Sequence, residues 1–378
     1  MQRREFIAMA GAAVSPLGSP ETAFAAPADT SVRPRPLVFP ADFGAHPATR
    51  TEWWYATGWL QAQDAASAGN ATAQGAAPAL YGFQVTFFRS ATGLPASPSR
   101  FAAQQLVFAH AVVGDVAGRR QRHDQRIARA GFGIADAAEG DTGVLLRDWS
   151  LRRAGAADAS RYTTRVASER GGFAFELALA ATQPVLLQGE AGFSRKGPKP
   201  FQASHYYSEP QLRASGTLTL DGKPLAVQGR AWFDHEWSDH ALADDAVGWD
   251  WIGINLDDGS ALTAVRHRRA DGTQFYAGGS FRAAGGPVRN FGPDEVRFVA
   301  GRRWASPASQ ASYPVEWAVE TPAGRYRVRA LFDEQELDSR GSTGGFYWEG
   351  LSEVRDESGR RVGLGYLEMT GYAGRLRT

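Results

Sequence analysis

A series of strand-length apolar runs is the feature that most limits how this chain can fold. Residues 53–60 and 81–88 are rich in aromatic and β-branched residues and have the length of β-strands. Further runs of this kind lie at residues 106–113, 162–166, 173–179, 214–220, 225–232, 248–256 and 261–267. Tight turns such as Asp221-Gly222 and Asp271-Gly272 separate them. The pattern predicts an all-β chain of antiparallel strands, arranged as a sandwich or as up-and-down barrels.

The length of 378 residues fits two such units, because about eight strands close a barrel around one small ligand. Short helices are predicted at residues 294–299 and 333–337. Residues 61–79, which are rich in Ala, Gly and Gln, are predicted to be a long disordered hairpin loop. The sequence has neither an ordered Gly-rich phosphate loop nor βαβ alternation, and this disfavours Rossmann and P-loop enzymes.

The overall charge disfavours nucleic-acid binding. Lys and Arg number 41 against 40 Asp and Glu, which leaves a net charge of +1 and no basic excess. The nearest basic cluster, residues 266–269, stands directly before a turn and is interpreted as a solvated hairpin end. The chain has no cysteine, which excludes disulfides, thiolate nucleophiles and cysteine-ligated metals.

The N-terminal residues 1–25 have the pattern of an export signal. Arg3 and Arg4 precede a mildly apolar stretch, and Ala23-Phe24-Ala25 has the small-x-small form of a cleavage site. The alternative is a short helix that belongs to the fold. We expect export by the twin-arginine or Sec route to the periplasm, followed by an extended Pro-rich linker over residues 26–40. No later stretch reaches the roughly 20 apolar residues of a membrane span.

The first chemically dense segment surrounds Glu52. On a strand, Glu52 and Trp54 share one face, while Trp53 and Tyr55 share the other. A carboxyl group packed beside indoles on an inward face has its pKa raised by loss of water, which is the profile of a general acid. The alternative is that Glu52 pairs with a buried arginine, such as Arg50 or Arg230, and closes the end of a barrel.

A second segment contains Asp234, His235, Glu236 and Trp237 in succession. Asp234 and Glu236 share one strand face, and His235 and Trp237 share the other. Its histidines do not have the His-Glu-x-x-His spacing of a helical zinc site, and no metal is predicted. The acids are either acid–base catalysts or part of a hydrogen-bonded corner that links the two halves.

In a third segment, Trp249 and Trp251 share one strand face and Asp250 lies on the other. Asp250 is either a ligand-facing acid or half of a surface ion pair. A fourth segment places His205 near Tyr207. It lacks the Gly-flanked strand–turn–helix elbow that exposes a nucleophile, which disfavours hydrolase chemistry.

Seven sequence blocks, taken in order, resemble the AttH-like/hydroxyneurosporene synthase family. They are Thr-Glu-Trp-Trp-Tyr-Ala-Thr-Gly at 51–58, His-Tyr-Tyr-Ser at 205–208, Trp-Phe-Asp-His-Glu-Trp at 232–237, Gly-Trp-Asp-Trp at 248–251, Asp-Glu-Gln-Glu-Leu at 333–337, Tyr-Trp-Glu-Gly at 347–350 and Gly-Tyr-Leu-Glu-Met-Thr-Gly-Tyr at 365–372. The resemblance implies two consecutive lipocalin-like antiparallel β-barrels, an N-terminal one over residues 41–238 and a C-terminal one over 239–378.

The resemblance also implies two functions between which fold alone does not decide. In the first, the exported protein binds a lipophilic isoprenoid or lipid, as a periplasmic component that works with an ABC transporter. In the second, it is a hydro-lyase of the carotenoid 1,2-hydratase type. Neither function requires a cofactor.

Hydration of an alkene needs an acid, a base that positions water, and aromatic faces that stabilise the cation. We expect Asp234 to be the acid and His235 to orient the water, with Glu52, Glu236 and Asp250 as the other acid–base candidates. The residues expected to line the ligand are Trp53, Trp54, Tyr55, His205, Tyr207, Trp237, Trp249 and Trp251.

Overall fold

The computed structural model describes residues 32–63, 78–95, 99, 101–240 and 242–376. The predicted signal over residues 1–25 lies outside the described residues, as does most of the predicted loop over 61–79. Within the described ranges, no helix is long and apolar enough to cross a membrane.

A 13-stranded antiparallel sheet forms the first half of the fold, in the order β4-β3-β2-β1-β13-β12-β9-β8-β7-β6-β5, with β10 and β11 paired to β12. A short 3-10 helix, Ala41–Phe43, precedes it. Its strands are β1 Thr51–Ala62, β2 Leu80–Ala91, β3 Gln105–Asp115, β4 Arg120–Arg129, β5 Ala135–Ala137, β6 Gly143–Leu146, β7 Trp149–Ala154, β8 Arg161–Ser168, β9 Phe173–Ala180, β10 Leu186–Leu187, β11 Phe193–Arg195, β12 Ala203–Leu220 and β13 Lys223–Ser238. The two ends of the sheet, β4 and β5, follow each other in the chain and are joined by a bridge between Gly131 and Ala135, so the sheet is a nearly closed barrel.

A 10-stranded antiparallel sheet forms the second half, in the order β17-β16-β15-β14-β25-β24-β22-β21-β18, with β23 paired to β24. Its strands are β14 Gly248–Leu256, β15 Ala261–Arg268, β16 Gln274–Arg282, β17 Val288–Phe291, β18 Arg297–Ala300, β21 Glu316–Thr321, β22 Gly324–Ala330, β23 Glu336–Asp338, β24 Phe346–Arg355 and β25 Arg361–Met369, while β19 Arg303–Ala305 and β20 Ser312–Pro314 pair separately. This architecture confirms the predicted all-β class of two consecutive lipocalin-like barrels, and every predicted strand is present.

The two predicted helices are wrong, because both segments form turns and strands. In the first, the Glu295 carboxylate accepts a hydrogen bond from the Gly292 N–H (2.7 Å), which closes a turn before β18 pairs with β21. In the second, the Gln335 side chain donates to the Phe332 carbonyl (2.7 Å) and accepts from the Leu351 N–H (3.0 Å), and β23 then pairs with β24. Side-chain bonds to the backbone compete here with helical ones.

Strands β1 and β2, the first half of β12 and the second half of β13 are buried on both faces, because one face points into the first barrel and the other meets the second sheet. The barrel face of β1 carries Trp54, which belongs to the first core, and its other face carries Tyr55, which packs in a separate apolar layer with Trp251 and Tyr366. A bulge after Glu209 in β12 supports this layer. There the Gln211 side chain donates to the Leu256 carbonyl of β14 (2.9 Å), which ties the two sheets together.

Candidate functional site

An inter-sheet cavity of about 580 Å³ lies between the outer face of the first barrel and the outer face of the second. Strands β1, β2, β3, β12 and β13 supply one wall, and β14, β15, β16, β24 and β25 supply the other. A volume of this size suits a ligand of drug-like dimensions. The cavity therefore lies between the barrels and not inside either one.

The first wall carries a row of aromatic side chains that crosses adjacent strands. Tyr206 lies opposite Glu236, Glu236 opposite Trp53, Trp53 opposite Phe88, and Phe88 opposite Phe108. The rings of Phe88 and Phe108 are stacked, with centroids 4.6 Å apart. Because residues directly opposite on neighbouring strands share a face, the alternation of each strand brings these side chains to one surface.

A parallel row, two residues along each strand, is more polar. It runs from Asp234 through Tyr55 and Thr86 to His110. His110 bonds the Tyr347 hydroxyl of β24 through Nδ1 (2.8 Å) and the Ser342 hydroxyl through Nε2 (2.8 Å). Burial lowers the pKa of His110 to about 3, so this histidine is a neutral link between the sheets.

The facing wall carries Val265, Trp251, Glu368 and Glu349 at directly opposite positions of β15, β14, β25 and β24. Trp251 meets Tyr55 of the first wall edge-on, with ring centroids 5.6 Å apart. The predicted ligand-binding residues Trp53, Tyr55, Trp249 and Trp251 all line the cavity.

Asp234 is a buried acid on the cavity surface. Its Oδ1 accepts hydrogen bonds from the Ser208 hydroxyl (2.5 Å) and the Trp232 indole N–H (2.7 Å). Burial raises the pKa of Asp234 to about 7 despite these bonds, with a contribution from the neighbouring Glu236 charge. At neutral pH this carboxyl group is therefore present in both protonated and ionised forms, which is the condition that a general acid requires.

Glu236 has a different setting on the same face of β13. Its carboxylate pairs with the Lys196 ammonium (2.6 Å) and accepts a hydrogen bond from the Ser204 hydroxyl (2.5 Å). Because they are two residues apart on one strand, Asp234 and Glu236 place two carboxyl groups on the same cavity face.

Glu349 and Glu368 add two more acids to the cavity. Burial and the charge of Glu368 raise the pKa of Glu349 well above its ordinary range. Burial raises the pKa of Glu368 to about 7, against a hydrogen bond from the Trp249 indole N–H to its Oε1 (2.9 Å). Five carboxyl groups therefore line one aromatic cavity: Glu190, Asp234, Glu236, Glu349 and Glu368.

The predicted catalytic residues Glu52 and His235 lie on the opposite side of their strands, inside the first barrel. Glu52 accepts hydrogen bonds from His235 Nε2 (2.8 Å), His46 Nδ1 (2.7 Å) and Arg89 Nε (2.8 Å). Burial alone would raise the pKa of Glu52, but the bonds from His235 and His46 lower it to about 2. Glu52 is therefore a carboxylate in an ion-pair network, which corrects its prediction as a general acid. It pairs with a buried arginine, as in the alternative, but this arginine is Arg89 and not Arg50 or Arg230.

The prediction that His235 orients water beside Asp234 is corrected for the same geometric reason. Consecutive strand residues point to opposite faces, so the His235 ring lies in the barrel while the Asp234 carboxyl lies in the inter-sheet cavity. Glu236, two positions along from Asp234, shares its face instead.

Four predicted ligand-binding residues also pack in the interior of the first barrel, each at most 3% exposed: Trp54, His205, Tyr207 and Trp237. They surround the Glu52 network, where Trp237 stacks on the His46 ring with centroids 3.7 Å apart and Trp54 stacks on His235 at 4.7 Å. The structure therefore places them in the barrel core and not on the cavity wall.

Asp250 faces the core of the second barrel. Its carboxylate pairs with Arg266 Nε (2.7 Å) and Arg268 Nε (3.1 Å) and accepts a hydrogen bond from the Tyr372 hydroxyl (2.8 Å). One of the two interpretations of Asp250 was that it forms a surface ion pair. Asp250 does form an ion pair, but this pair is buried. The prediction that residues 266–269 form a solvated hairpin end is wrong for its first three residues, because Arg266, His267 and Arg268 are turned into the structure by β15.

One group of side chains has the composition of a metal site. Single ligand atoms of His46, Glu52 and His235 lie within 4.8 Å of one another. The same atoms are joined by the short hydrogen bonds described above, and Glu52 also faces the Arg89 guanidinium. A cation there would displace those protons and stand beside a positive charge, so the cluster fits an ion-pair network better than a metal centre.

Sequence reasoning missed many cavity residues, among them Lys196, His267, Glu349 and Glu368 and the aromatic residues Phe88, Phe108 and Tyr206. Glu349 and Glu368 lie in two of the sequence blocks that resemble the family. Each follows an apolar residue, Trp348 or Leu367, and this strand-like alternation was the signal that could have identified them. Lys196 follows the three-residue strand β11 and carries no such pattern.

The fold and site define a two-barrel, lipocalin-like protein with an acid-rich aromatic cavity between its sheets. The chain belongs to the AttH-like family, whose model matches residues 30–372. This match confirms the family recognised from the ordered sequence blocks. No curated protein matches the sequence significantly.

Among solved structures, the chain is similar to a Nitrosomonas europaea protein described as an AttH, with 45% identity and a TM-score of 0.79 over 90% of this chain and 99% of that one. Kievitone hydratase from Nectria haematococca shares the fold at 14% identity, with a TM-score of 0.65 over 89% of this chain and 93% of that one. CghA, whose structure was solved with Sch210972, also shares the fold at 14% identity, with a TM-score of 0.53 over 87% of this chain and 90% of that one.

Proposed function

We propose that this protein binds one lipophilic ligand, an isoprenoid or another lipid, in the inter-sheet cavity. The observation that carries the proposal is the cavity of about 580 Å³ faced by aromatic rings from both sheets. Ligand pockets of this size are usually apolar, with a few polar groups that fix orientation. The rings of Trp53, Phe88 and Phe108 form a continuous apolar surface on which a chain of isoprene units can lie.

A cavity-filling substitution tests this proposal. Gly278 lies opposite Val265 on the cavity side of β16, and a Cβ atom there would meet only the Phe291 carbonyl oxygen, at 3.6 Å. Gly278→Leu should therefore fill the cavity without disturbing the sheet. Ala318→Leu is the matched control, because Ala318 is exposed on β21 of the same sheet.

The measurement is mass spectrometry of organic extracts from protein purified from its native cells. We expect a stoichiometric lipid or isoprenoid from the unaltered protein and from Ala318→Leu, and little from Gly278→Leu. A clean extract from the unaltered protein, together with no binding of added farnesol or β-farnesene, would overturn the proposal.

A second candidate function, hydration of an isoprenoid double bond, is favoured by the raised pKa of Asp234 beside the aromatic wall. The protonated Asp234 carboxyl would donate its proton to one alkene carbon, and the resulting tertiary cation would lie against the indoles of Trp53 and Trp251. Water would then add to the cation while its released proton passes to a carboxylate such as Glu236. The balance is one alkene plus one water to one alcohol.

This second function is tested by turnover in ¹⁸O-labelled water with the extracted compound as substrate. Asp234→Asn should abolish label incorporation because the amide cannot donate an acidic proton. Glu209→Gln is the matched control, since Glu209 is another buried acid with a raised pKa but lies in the first barrel, bonded to Ser160 and Tyr162. Full turnover by Asp234→Asn would exclude Asp234 as the acid.

We further propose that the protein works in the periplasm with an ABC transporter. The support is the Arg3-Arg4 leader pattern and the family resemblance. Replacing both arginines by lysine should retain the protein in the cytoplasmic fraction, and the exported form should co-purify with a transporter permease. A cytoplasmic location of the unaltered protein would contradict both statements.

A further inference from the structure

His267 is a buried histidine on the cavity wall whose two ring nitrogens have no hydrogen-bond partner in the described part of the chain. Only 3% of the residue is exposed. Buried polar groups are nearly always hydrogen-bonded, and leaving one unpaired costs about 1–3 kcal/mol. An imidazole that lines a cavity with both nitrogens unpaired therefore indicates a partner that enters the cavity.

The surroundings of His267 do not supply that partner. Trp249 lies opposite it on β14, with ring centroids 6.2 Å apart, and Tyr276 lies opposite it on β16. The Lys196 charge acts on the imidazole, but its ammonium is paired with Glu236 at 2.6 Å and lies over the Tyr206 ring. The imidazole thus stands among aromatic groups at a mostly apolar surface.

Burial and the Lys196 charge lower the pKa of His267 to about 3. A neutral imidazole has one N–H donor and one nitrogen acceptor. It can therefore donate to an oxygen of a ligand, or accept a hydrogen bond from a ligand hydroxyl, at neutral pH.

We propose, on the basis of the proposed ligand-binding function, that His267 binds the hydroxyl group of a neutral lipophilic alcohol. A hydroxyl complements either ring nitrogen, because it both donates and accepts. A pure hydrocarbon would leave both nitrogens without a partner in the ligand. A carboxylate would meet five carboxyl groups on the cavity wall, those of Glu190, Asp234, Glu236, Glu349 and Glu368, and two cations. Of these cations, Lys196 is paired with Glu236, and Arg195 donates to the backbone carbonyls of Gly197 and Pro198. The excess of acids disfavours a carboxylate ligand. The ligand class is thus an isoprenoid alcohol, with its apolar chain along the row of Trp53, Phe88 and Phe108.

Three probes with the same carbon chain test the proposal: farnesol, β-farnesene and farnesoic acid. Their dissociation constants can be measured by quenching of tryptophan fluorescence and by calorimetry on the full chain. We expect farnesol to bind about tenfold more tightly than β-farnesene, because its hydroxyl group gains one hydrogen bond in a buried site. Farnesoic acid should bind more weakly than farnesol at pH 8.

His267→Leu should bring farnesol to the affinity of β-farnesene and leave β-farnesene itself nearly unchanged. His267→Gln, which keeps a donor and an acceptor, should restore part of the preference. His205→Leu is the matched control, since His205 is equally buried, with an unpaired Nδ1, but lies in the first barrel. It should leave the preference intact, and thermal unfolding confirms that each variant is folded.

Two results would overturn the inference, and they are distinguishable. If farnesol and β-farnesene bind equally well to the unaltered protein, or if His267→Leu keeps the preference, the hydroxyl site is wrong and ligand binding stands. If none of the three probes binds, the proposed function falls together with the inference.

Discussion

Glu349 and Glu368 occupy directly opposite positions on the adjacent strands β24 and β25, and both carboxyl groups face the inter-sheet cavity. Two like charges opposite each other on one sheet face repel, and burial strengthens the repulsion. The pair therefore holds a proton at neutral pH, which is why the pKa of Glu349 lies well above its ordinary range. A fold that only needed to join two barrels would gain stability from apolar residues at these positions.

Glu368→Gln is expected to stabilise the protein at alkaline pH. A carboxyl group whose pKa is raised in the folded state contributes its stability below its ordinary pKa of 4.5, and this contribution is lost as the pH rises through about 7. The substitution should therefore raise the free energy of unfolding at pH 8 and change it little at pH 4, as measured by urea denaturation.

Glu353→Gln is the matched control for this prediction. Glu353 lies on the neighbouring strand β24, but its carboxylate pairs with Arg329 (2.6 Å) and Arg355 (3.0 Å), which outweigh burial and lower its pKa. Its replacement should destabilise the protein at pH 8. Equal responses of the two variants would show that Glu368 is not held protonated by its surroundings.

Asp234→Asn should also make the protein more stable than the unaltered protein at alkaline pH. The pKa of Asp234 is raised from 3.8 to about 7, so the unaltered protein loses stability between these two values. The amide keeps an oxygen that accepts from Ser208 and Trp232. We expect the free-energy difference between variant and unaltered protein to grow by on the order of 2–4 kcal/mol from pH 4 to pH 8. A difference that does not vary with pH would contradict the raised pKa.

Glu52→Gln should have the opposite effect. The pKa of Glu52 is lowered from 4.5 to about 2, so its stabilisation is present above pH 4.5 and lost as the pH falls towards 2. Removing this charge leaves Arg89 buried without its carboxylate, which costs about 3–5 kcal/mol near pH 6. Glu176→Gln, on an exposed position of β9, should change stability by less than about 0.5 kcal/mol. Chemical denaturation at pH 6 and pH 3 measures the stability of both variants. If Glu52→Gln loses as much stability at pH 3 as at pH 6, the lowered pKa of Glu52 is contradicted.

Much of this architecture could be predicted because strand alternation is local. Because side chains alternate along a strand, Glu52 and Trp54 share one face of β1, and Trp53 and Tyr55 share the other, in the structure as in the prediction. Which face meets the cavity could not be predicted, because both faces of β1 are apolar and buried. The predicted ligand surface therefore combined residues from the two sides, and Trp54 and Trp237 were grouped with Trp53 and Trp251.

The acids of the second wall could not be placed for a different reason. Glu368 meets Trp249 and Glu349 only through the pairing of β25 with β14 and β24, and β14 is more than a hundred residues earlier in the chain. Their register depends on long-range strand pairing, which a local pattern does not determine. His267 was assigned to a solvated turn because its neighbours are arginines, and the buried carboxylate of Asp250 explains why two of those arginines are inside.

Trp249→Phe should raise the pKa of Glu368 further. The Trp249 indole N–H donates to Glu368 Oε1 at 2.9 Å, and this bond favours the ionised carboxylate. Phenylalanine keeps the ring and removes the donor, so the pKa should rise by roughly one to two pH units, as expected from loss of a hydrogen bond to a charged group. Carbon-13 NMR of the glutamate side chains measures the titration, with the Glu368 signal assigned by its loss in Glu368→Gln. Trp304→Phe, a partly buried indole on β19, should leave that titration unchanged. If the Glu368 titration is the same in Trp249→Phe and in the unaltered protein, the indole does not set the protonation of this acid, and burial and the neighbouring carboxyl groups control it instead.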